Sequence, residues 1–90
     1  MRAVNVTINN NKGDGVYVQA GSTAAFHGGN AITANSINGV SVNDLSFAEF
    51  AAYVGPNTVS GNLVAPDVGC FGQFPVVQGA ATVGGTTNCK

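Results

Sequence analysis

The chain has 90 residues, of which 8% are charged and 44% are hydrophobic, and its formal net charge is −1. A chain of this length forms one domain with a modest core. So few basic residues exclude the electrostatic surface that binding to nucleic acid requires. No run of about 20 apolar residues is present, so membrane insertion is not expected. The first residues also lack the apolar segment of a signal peptide.

The first 30 residues predict three short strands joined by tight corners. At residues 4–8 apolar and polar residues alternate, which is the pattern of a half-buried strand. The corners are rich in Asn and Gly, which tolerate the left-handed backbone of tight turns. The predicted strands are residues 4–8, 16–18 and 23–26, and the corners are residues 9–15, 20–22 and 28–30.

The pattern then repeats. Ile8 and Ile32 are 24 residues apart, and Ile32 and Val59 are 27 residues apart. Such a period indicates stacked units that bury their apolar faces against each other. The second unit predicts strands at residues 31–33, 39–43 and 46–50. A short helix over residues 46–53 is the alternative for the last of these, but the repeat favours a strand.

Asparagines recur at equivalent corners, and apolar residues recur at equivalent strand positions. An inward-facing Asn can bond its amide to backbone groups of the neighbouring coils, so Asn11, Asn35 and Asn62 predict an asparagine ladder. The same argument applies to Asn30 and Asn57. The predicted core stack is Ile8, Val16, Val18, Phe26, Ile32, Val40, Val42, Phe50, Val59 and Val68, with Phe26 and Phe50 one above the other.

The N-x-x-x-G-V-x-V unit, the repeated corner Asn and the three-strand coil resemble the right-handed parallel β-helix proteins of the pectate-lyase-like group. The resemblance covers most of the chain up to Cys70, and the tail is similar to the C-terminal end of large secreted bacterial members. It implies an all-β fold, a right-handed parallel β-helix of about three coils with a C-terminal cap. Parallel crossovers are also right-handed as a rule.

The two cysteines suit one disulfide, Cys70 with Cys89, in an oxidising compartment, and hence a secreted or cell-surface location. Two buried free thiols are the alternative. Cys70 holds the inward position that Val18 and Val42 hold in earlier coils, so a bond to Cys89 would draw the tail across the last coil. We therefore predict coils over residues 1–70 and a capping segment over residues 71–90. The residues expected to plug the interior are Phe71, Phe74, Val76, Val77 and Val83.

The acidic residues do not form a catalytic pair in the predicted register. No two of Asp14, Asp44, Glu49 and Asp67 share a ladder, so neither a retaining nor an inverting glycosidase is indicated. Asp14 is expected to cap backbone groups. A lone His27 beside two glycines is typical of a surface corner residue. We expect no catalytic residue, no metal site and no cofactor.

The expected function is therefore that of a non-catalytic structural module, the capped C-terminal fragment of a larger secreted or surface protein. Val4, Val6 and Ile8 would open the first coil without a cover, so this edge predicts self-association into a homo-oligomer. The alternatives are a carbohydrate-binding segment, with Tyr17 and Tyr53 contacting a polysaccharide, and an inactive remnant of a polysaccharide-lyase-like protein.

Overall fold

A computed structural model describes all 90 residues, and it consists of ten short strands wound into three parallel sheets. In chain order the strands are β1 (Arg2–Ala3), β2 (Thr7–Asn9), β3 (Val16–Val18), β4 (Thr23–Phe26), β5 (Ala31–Thr33), β6 (Val40–Asn43), β7 (Phe47–Phe50), β8 (Thr58–Ser60), β9 (Val68–Phe71) and β10 (Val76–Gln78). One 3-10 helix, Ala80–Thr82, follows the last strand. The prediction of an all-β fold is confirmed.

Consecutive strands belong to different sheets, so the chain winds as a coil. Sheet A has the order β1-β4-β7-β10, sheet B has β2-β5-β8, and sheet C has β3-β6-β9. We call β1–β3 coil 1, β4–β6 coil 2 and β7–β9 coil 3, and β10 begins a fourth turn. The parallel β-helix of three coils is therefore as predicted, and its handedness stays a prediction.

The register follows the sequence repeat. In sheet C, Val16 pairs with Val40, and Val40 pairs with Val68. In sheet B, Ile8 pairs with Ile32. Equivalent residues of successive coils therefore form columns, because each parallel strand pairs directly with its counterpart in the next coil.

These columns supply the core. Every residue of the predicted core stack lies in the apolar cluster or packs against it, with Ile8 and Val16 only half-buried in coil 1. The rings of Phe26 and Phe50 are stacked, with centroids 4.8 Å apart and planes inclined by 11°. Residues 47–50 form strand β7, so the helix considered for residues 46–53 is not present.

The strand predicted over residues 4–8 is correct only for Thr7 and Ile8, because β2 begins at Thr7. Ala3 pairs with Phe26 at the end of sheet A, so Val4 and Asn5 occupy the corner between β1 and β2. Asn5 has the left-handed backbone of a tight turn, with φ 55°. Alternation alone could not detect this corner, because Val4, Val6 and Ile8 still alternate across it. Val4 and Val6 are 37% and 38% exposed.

The capping segment lies across coil 3, and its disulfide joins Cys70 to Cys89 as predicted. Val77 and Val83 plug the interior, and Ala80 joins them. Phe74 and Val76 do not, since they are 78% and 52% exposed. β10 pairs with β7 in a register that places Val77 inward opposite Ala48, so Val76 points outward. Phe74 precedes β10 and has a left-handed backbone, with φ 54°.

Phe71 was also expected inside, and this prediction is wrong. Phe71 continues β9 one position beyond the inward Cys70, so its side chain lies on the outer face. Its ring covers Gly69, where an added Cβ would clash with the ring. Gly69 therefore leaves the space that this aromatic ring occupies.

Candidate functional site: the two ends of the coil

One ladder of side-chain amides runs through all three coils at the corner between sheets B and C, and we call it the main ladder. The backbone N–H and Nδ2 of Asn11 both donate to Oδ1 of Asn35, at 3.2 and 2.9 Å. The same groups of Asn35 donate to Oδ1 of Asn62, at 3.0 and 2.9 Å. The predicted asparagine ladder is thus present. It has a direction, because every rung donates to the coil that follows.

The main ladder ends on a carboxylate. The backbone N–H and Nδ2 of Asn62 donate to Oδ1 of Asp67, at 2.9 and 2.8 Å. The other oxygen, Oδ2, accepts from the backbone N–H and the hydroxyl of Thr86, at 3.0 and 3.2 Å. Asp67 therefore joins the main ladder to the capping segment.

Burial of Asp67 by itself raises the pKa of the carboxyl group. The hydrogen bonds from Thr86 and Asn62 outweigh this effect and hold its pKa below the ordinary value of 3.8. This role of Asp67 was not predicted. A signal was available, because the last Asn of a directional ladder needs an acceptor, and Asp67 lies five residues after Asn62.

A second, shorter ladder lies at the corner between sheets A and B, and it involves the two asparagines predicted there. Nδ2 of Asn30 donates to Oδ1 of Asn57 at 2.9 Å. The same oxygen accepts from the backbone N–H of Gly28. Nδ2 of Asn57 then donates to the carbonyl oxygens of Phe26 and Ala51. This short ladder ends on backbone carbonyls.

Coil 1 is open. β1, β2 and β3 are the terminal strands of their sheets, so each has one edge without a partner. Val6, Ile8 and Val16 are incompletely covered at this end. Asn11, the first member of the main ladder, is exposed, and its Oδ1 accepts no hydrogen bond from the protein. This end therefore presents strand edges, apolar surface and one free amide oxygen.

Coil 3 is covered by the capping segment. In sheet A, β10 pairs with β7. In sheet B, the Val59 N–H donates to the Val83 carbonyl at 3.0 Å, and in sheet C, the Val68 N–H donates to the Thr86 carbonyl at 3.0 Å. Asn88 adds two further hydrogen bonds to the backbone of Cys70. All three strands of coil 3 thus have a partner at this end, and sheet A ends on β10.

The carboxylates are dispersed along the coil, as the predicted register places them. Oδ1 of Asp14 accepts from the Asn38 N–H at 3.0 Å, which is the capping role expected for it. Oδ1 of Asp44 accepts from the Gln73 N–H at 2.9 Å. No group of three or more His, Cys, Asp and Glu residues lies close enough to hold a metal ion, and the surface has no pocket.

His27 is more enclosed than a surface corner residue. Its Nε2 is buried without a hydrogen-bond partner and lies 3.7 Å from Oε2 of Glu49. The ring of Tyr53 meets the imidazole edge-on, with centroids 4.8 Å apart. His27 therefore supports the loop after β7 that makes the second period longer than the first.

The two tyrosines considered for glycan contact are exposed but are not brought together. Tyr17 lies on β3 in sheet C, whereas Tyr53 follows β7 in sheet A. They are 55% and 72% exposed. A sugar-binding surface that uses both rings at once is not formed by this arrangement.

Comparison with protein-family models, with curated proteins and with solved structures gives no match for this chain. None of its helices has the length and apolar character needed to cross a membrane.

Proposed function

We propose that the protein is a non-catalytic structural module that associates with a second copy of itself through coil 1. The observation that carries this proposal is the contrast between the ends. At coil 1 all three sheets end on an unpaired strand edge, whereas at coil 3 the strands β7, β8 and β9 each have a partner in the capping segment, and the only outer strand edge is that of the short β10.

An unpaired edge is a template for further strand pairing, because its N–H and C=O groups point outward in a regular row. Val6 and Ile8 add apolar surface that is removed from water when the edge is covered. Because the capping segment blocks the other end, two copies meet through the same surface. Such an isologous contact closes on itself and produces a dimer.

In this proposal the association is a property of the isolated 90-residue chain, and the chain is the capped C-terminal fragment of a larger secreted or surface β-helix protein of the pectate-lyase-like type, with coils over residues 1–70 and the cap over residues 71–90. The motifs of the sequence support the family, and the Cys70–Cys89 disulfide supports an oxidising compartment. Dispersed carboxylates and the lack of a pocket favour a structural role over catalysis.

Light scattering after size exclusion, at several concentrations and without reductant, tests the association. We expect a dimer, and we expect Val6→Lys to convert it to a monomer because the ammonium groups would be placed in the contact. Val64→Lys is the matched control, since Val64 is a similarly exposed valine outside the strands. It should leave the dimer unchanged. A wild-type monomer at every concentration would contradict the proposal.

A carbohydrate-binding role is the second candidate, and the exposed ring of Tyr53 favours it. Exposed aromatic rings can stack on sugars, although single surface tyrosines are common. A panel of acidic polysaccharides, with and without calcium, tests this role. Binding that Tyr53→Ala abolishes would support it, and newly formed unsaturated sugar ends would show lyase activity and exclude a purely structural role.

A further inference from the structure

We propose that the outer face of sheet C binds a neutral, extended β-1,4-linked polysaccharide, with the rings of Tyr17 and Phe71 as its two stacking platforms. This inference rests on the carbohydrate-binding role given above as the second candidate, and it assigns the contact to sheet C and not to Tyr53. The outer face of a sheet lies on the side of the coil. It would therefore remain on the surface if further coils were stacked on either end.

Alternation along the strands decides which side chains reach this face. Val18 points into the core and Val16 packs against it, so Tyr17 between them points outward. Tyr17 pairs with Ser41, and Ser41 pairs with Gly69. The three residues therefore form one outward column across the three coils.

The ring of Phe71 takes the third place in this column. Phe71 lies two residues beyond Gly69 on β9, and its ring covers Gly69 so closely that a Cβ there would clash with it. Neighbouring strands are about 4.8 Å apart, so the first and third places of the column are about 10 Å apart. Both rings are accessible, since Tyr17 is 55% exposed and Phe71 is half-buried.

The separation of the two rings favours one shape of ligand. In an extended β-1,4-linked chain every second sugar presents the same face, and the length of one disaccharide unit is close to the separation of the two rings. One sugar can therefore stack on Tyr17 while the next but one stacks on Phe71. Curved α-linked chains do not keep this repeat along a straight line.

The place between the two rings is low and polar. Ser41 is only 3% exposed, so no side chain protrudes there and a flat chain can lie across both rings. Oγ of Ser41 accepts from Nδ2 of Asn43 at 2.9 Å, and the same Nδ2 donates to the carbonyl of Val18 at 3.5 Å. Oδ1 of Asn43 accepts no hydrogen bond from the protein, so it can accept one from a sugar hydroxyl.

The absence of charge on this face favours a neutral ligand. The outward residues of β3, β6 and β9 are all uncharged, namely Tyr17, Ser41, Asn43, Gly69 and Phe71. The carboxylates of an acidic polysaccharide would lose water here without gaining a cationic partner. A flat face also suits a chain that binds along the surface, because the protein has no pocket.

Isothermal titration calorimetry with cellohexaose tests the two rings. We expect Tyr17→Leu and Phe71→Leu each to raise the Kd about tenfold, because leucine keeps the apolar cover but removes a stacking ring. The double variant should show no heat of binding. Tyr17→Phe and Phe71→Tyr keep the rings and should bind like the wild type. Thermal unfolding checks that each variant is folded, and the Tyr17 variants leave the cover of Gly69 intact.

The length and linkage of the ligand distinguish a two-ring platform from a single exposed ring. We expect cellobiose to bind about tenfold more weakly than cellotetraose, because only the longer chain reaches both rings. This difference should disappear in Tyr17→Leu. Maltotetraose, which is α-linked, and polygalacturonate should bind more weakly than cellotetraose. Equal affinities for cellobiose and cellotetraose would overturn the inference.

Further variants separate this inference from the other proposals. Tyr53→Leu is the matched control, since Tyr53 is an exposed tyrosine outside sheet C, and it should bind cellohexaose like the wild type. Loss of binding in Tyr53→Leu but not in Tyr17→Leu would keep a carbohydrate-binding role and overturn the site on sheet C. Val6→Lys should bind normally, because Val6 lies outside sheet C. If none of these glycans binds, the site is overturned while the proposed dimer is unaffected.

Discussion

The two asparagine ladders differ in length and in depth. The main ladder has three asparagines and a terminal carboxylate, but it begins at the exposed Asn11. The short ladder has only Asn30 and Asn57, and both are buried. By the number of its asparagines, the main ladder would be expected to contribute more to stability. The groups that each side-chain amide satisfies indicate the opposite, namely that an asparagine of the short ladder contributes more.

The hydrogen-bond partners of Asn57 and Asn35 explain why the short ladder is expected to contribute more. The Asn57 side chain serves the N–H of Gly28 and the carbonyl of Phe26, which are both buried residues. The Asn35 side chain serves Asn11 and the carbonyl of Ile8, which lie in the open coil 1, and it also donates to Oδ1 of the half-buried Asn62. Water can replace a lost partner only where it has access. A buried donor or acceptor without a partner costs about 1–3 kcal/mol.

Alanine substitution tests this ranking and has the largest expected effect. We expect Asn57→Ala to lower the free energy of unfolding by about 4 kcal/mol, because two buried backbone groups lose their partner. Asn35→Ala should cost about 2 kcal/mol, because solvent reaches most of the groups it leaves. Denaturant unfolding with the disulfide intact measures both. Equal losses in the free energy of unfolding, or a larger loss for Asn35→Ala, would contradict this prediction.

A glycine substitution shows how tightly the main ladder is enclosed. A Cβ on Gly39 would lie 2.5 Å from Nδ2 of Asn62 and 2.5 Å from Cγ1 of Val59. We expect Gly39→Ala to cost about 2 kcal/mol through overpacking. Gly13→Ala is the matched control, since nothing lies within 4 Å of its Cβ. Its thermal unfolding should match that of the wild type, and a similar loss in both variants would rule out a steric cause.

The pH dependence distinguishes the two ladder ends. The pKa of Asp67 is lowered on folding, so its contribution to stability is present above about pH 4 and is lost as the pH falls through the folded-state pKa. The short ladder ends on carbonyls and has no such dependence.

We expect Asp67→Asn to be less stable than the wild type by about 1.5 kcal/mol at pH 7, because the bonds from Thr86 are lost. The difference in the free energy of unfolding should narrow between pH 5 and pH 2. A constant difference over this range would mean that the carboxylate charge is not responsible.

Much of the fold could be predicted because one local pattern recurs. The spacing of Ile8, Ile32 and Val59 fixed the register, and the register placed Cys70 below Val42. The predicted direct stack of Phe26 and Phe50 followed from the same columns. A repeat carries information about neighbours that are distant in sequence, because each copy has the same environment.

The predictions failed where the repeat ends. The corner at Val4 and Asn5 is set by pairing of Ala3 with Phe26, and alternation within residues 4–8 gives no sign of it. In the capping segment, Val76 is apolar but points outward, since the register of β10 decides which face it takes. Phe74 is exposed because it lies between β9 and β10, outside both strands, where its backbone is left-handed. Asp67 was missed because its role depends on a donor, Asn62, that the repeat leaves without a partner.

The close contact between coils also affects the chemical lifetime of the chain. Asn38 precedes Gly39. Asn-Gly pairs deamidate readily, because the glycine nitrogen attacks the side-chain carbonyl of Asn to form a succinimide. Here the Gly39 N–H donates to the Asp67 carbonyl at 2.8 Å, and Nδ2 of Asn38 donates to the carbonyls of Val64 and Pro66. Succinimide formation requires that the Gly39 N–H and the Asn38 side chain break these hydrogen bonds. Spontaneous deamidation at this position is therefore coupled to local opening of the stack.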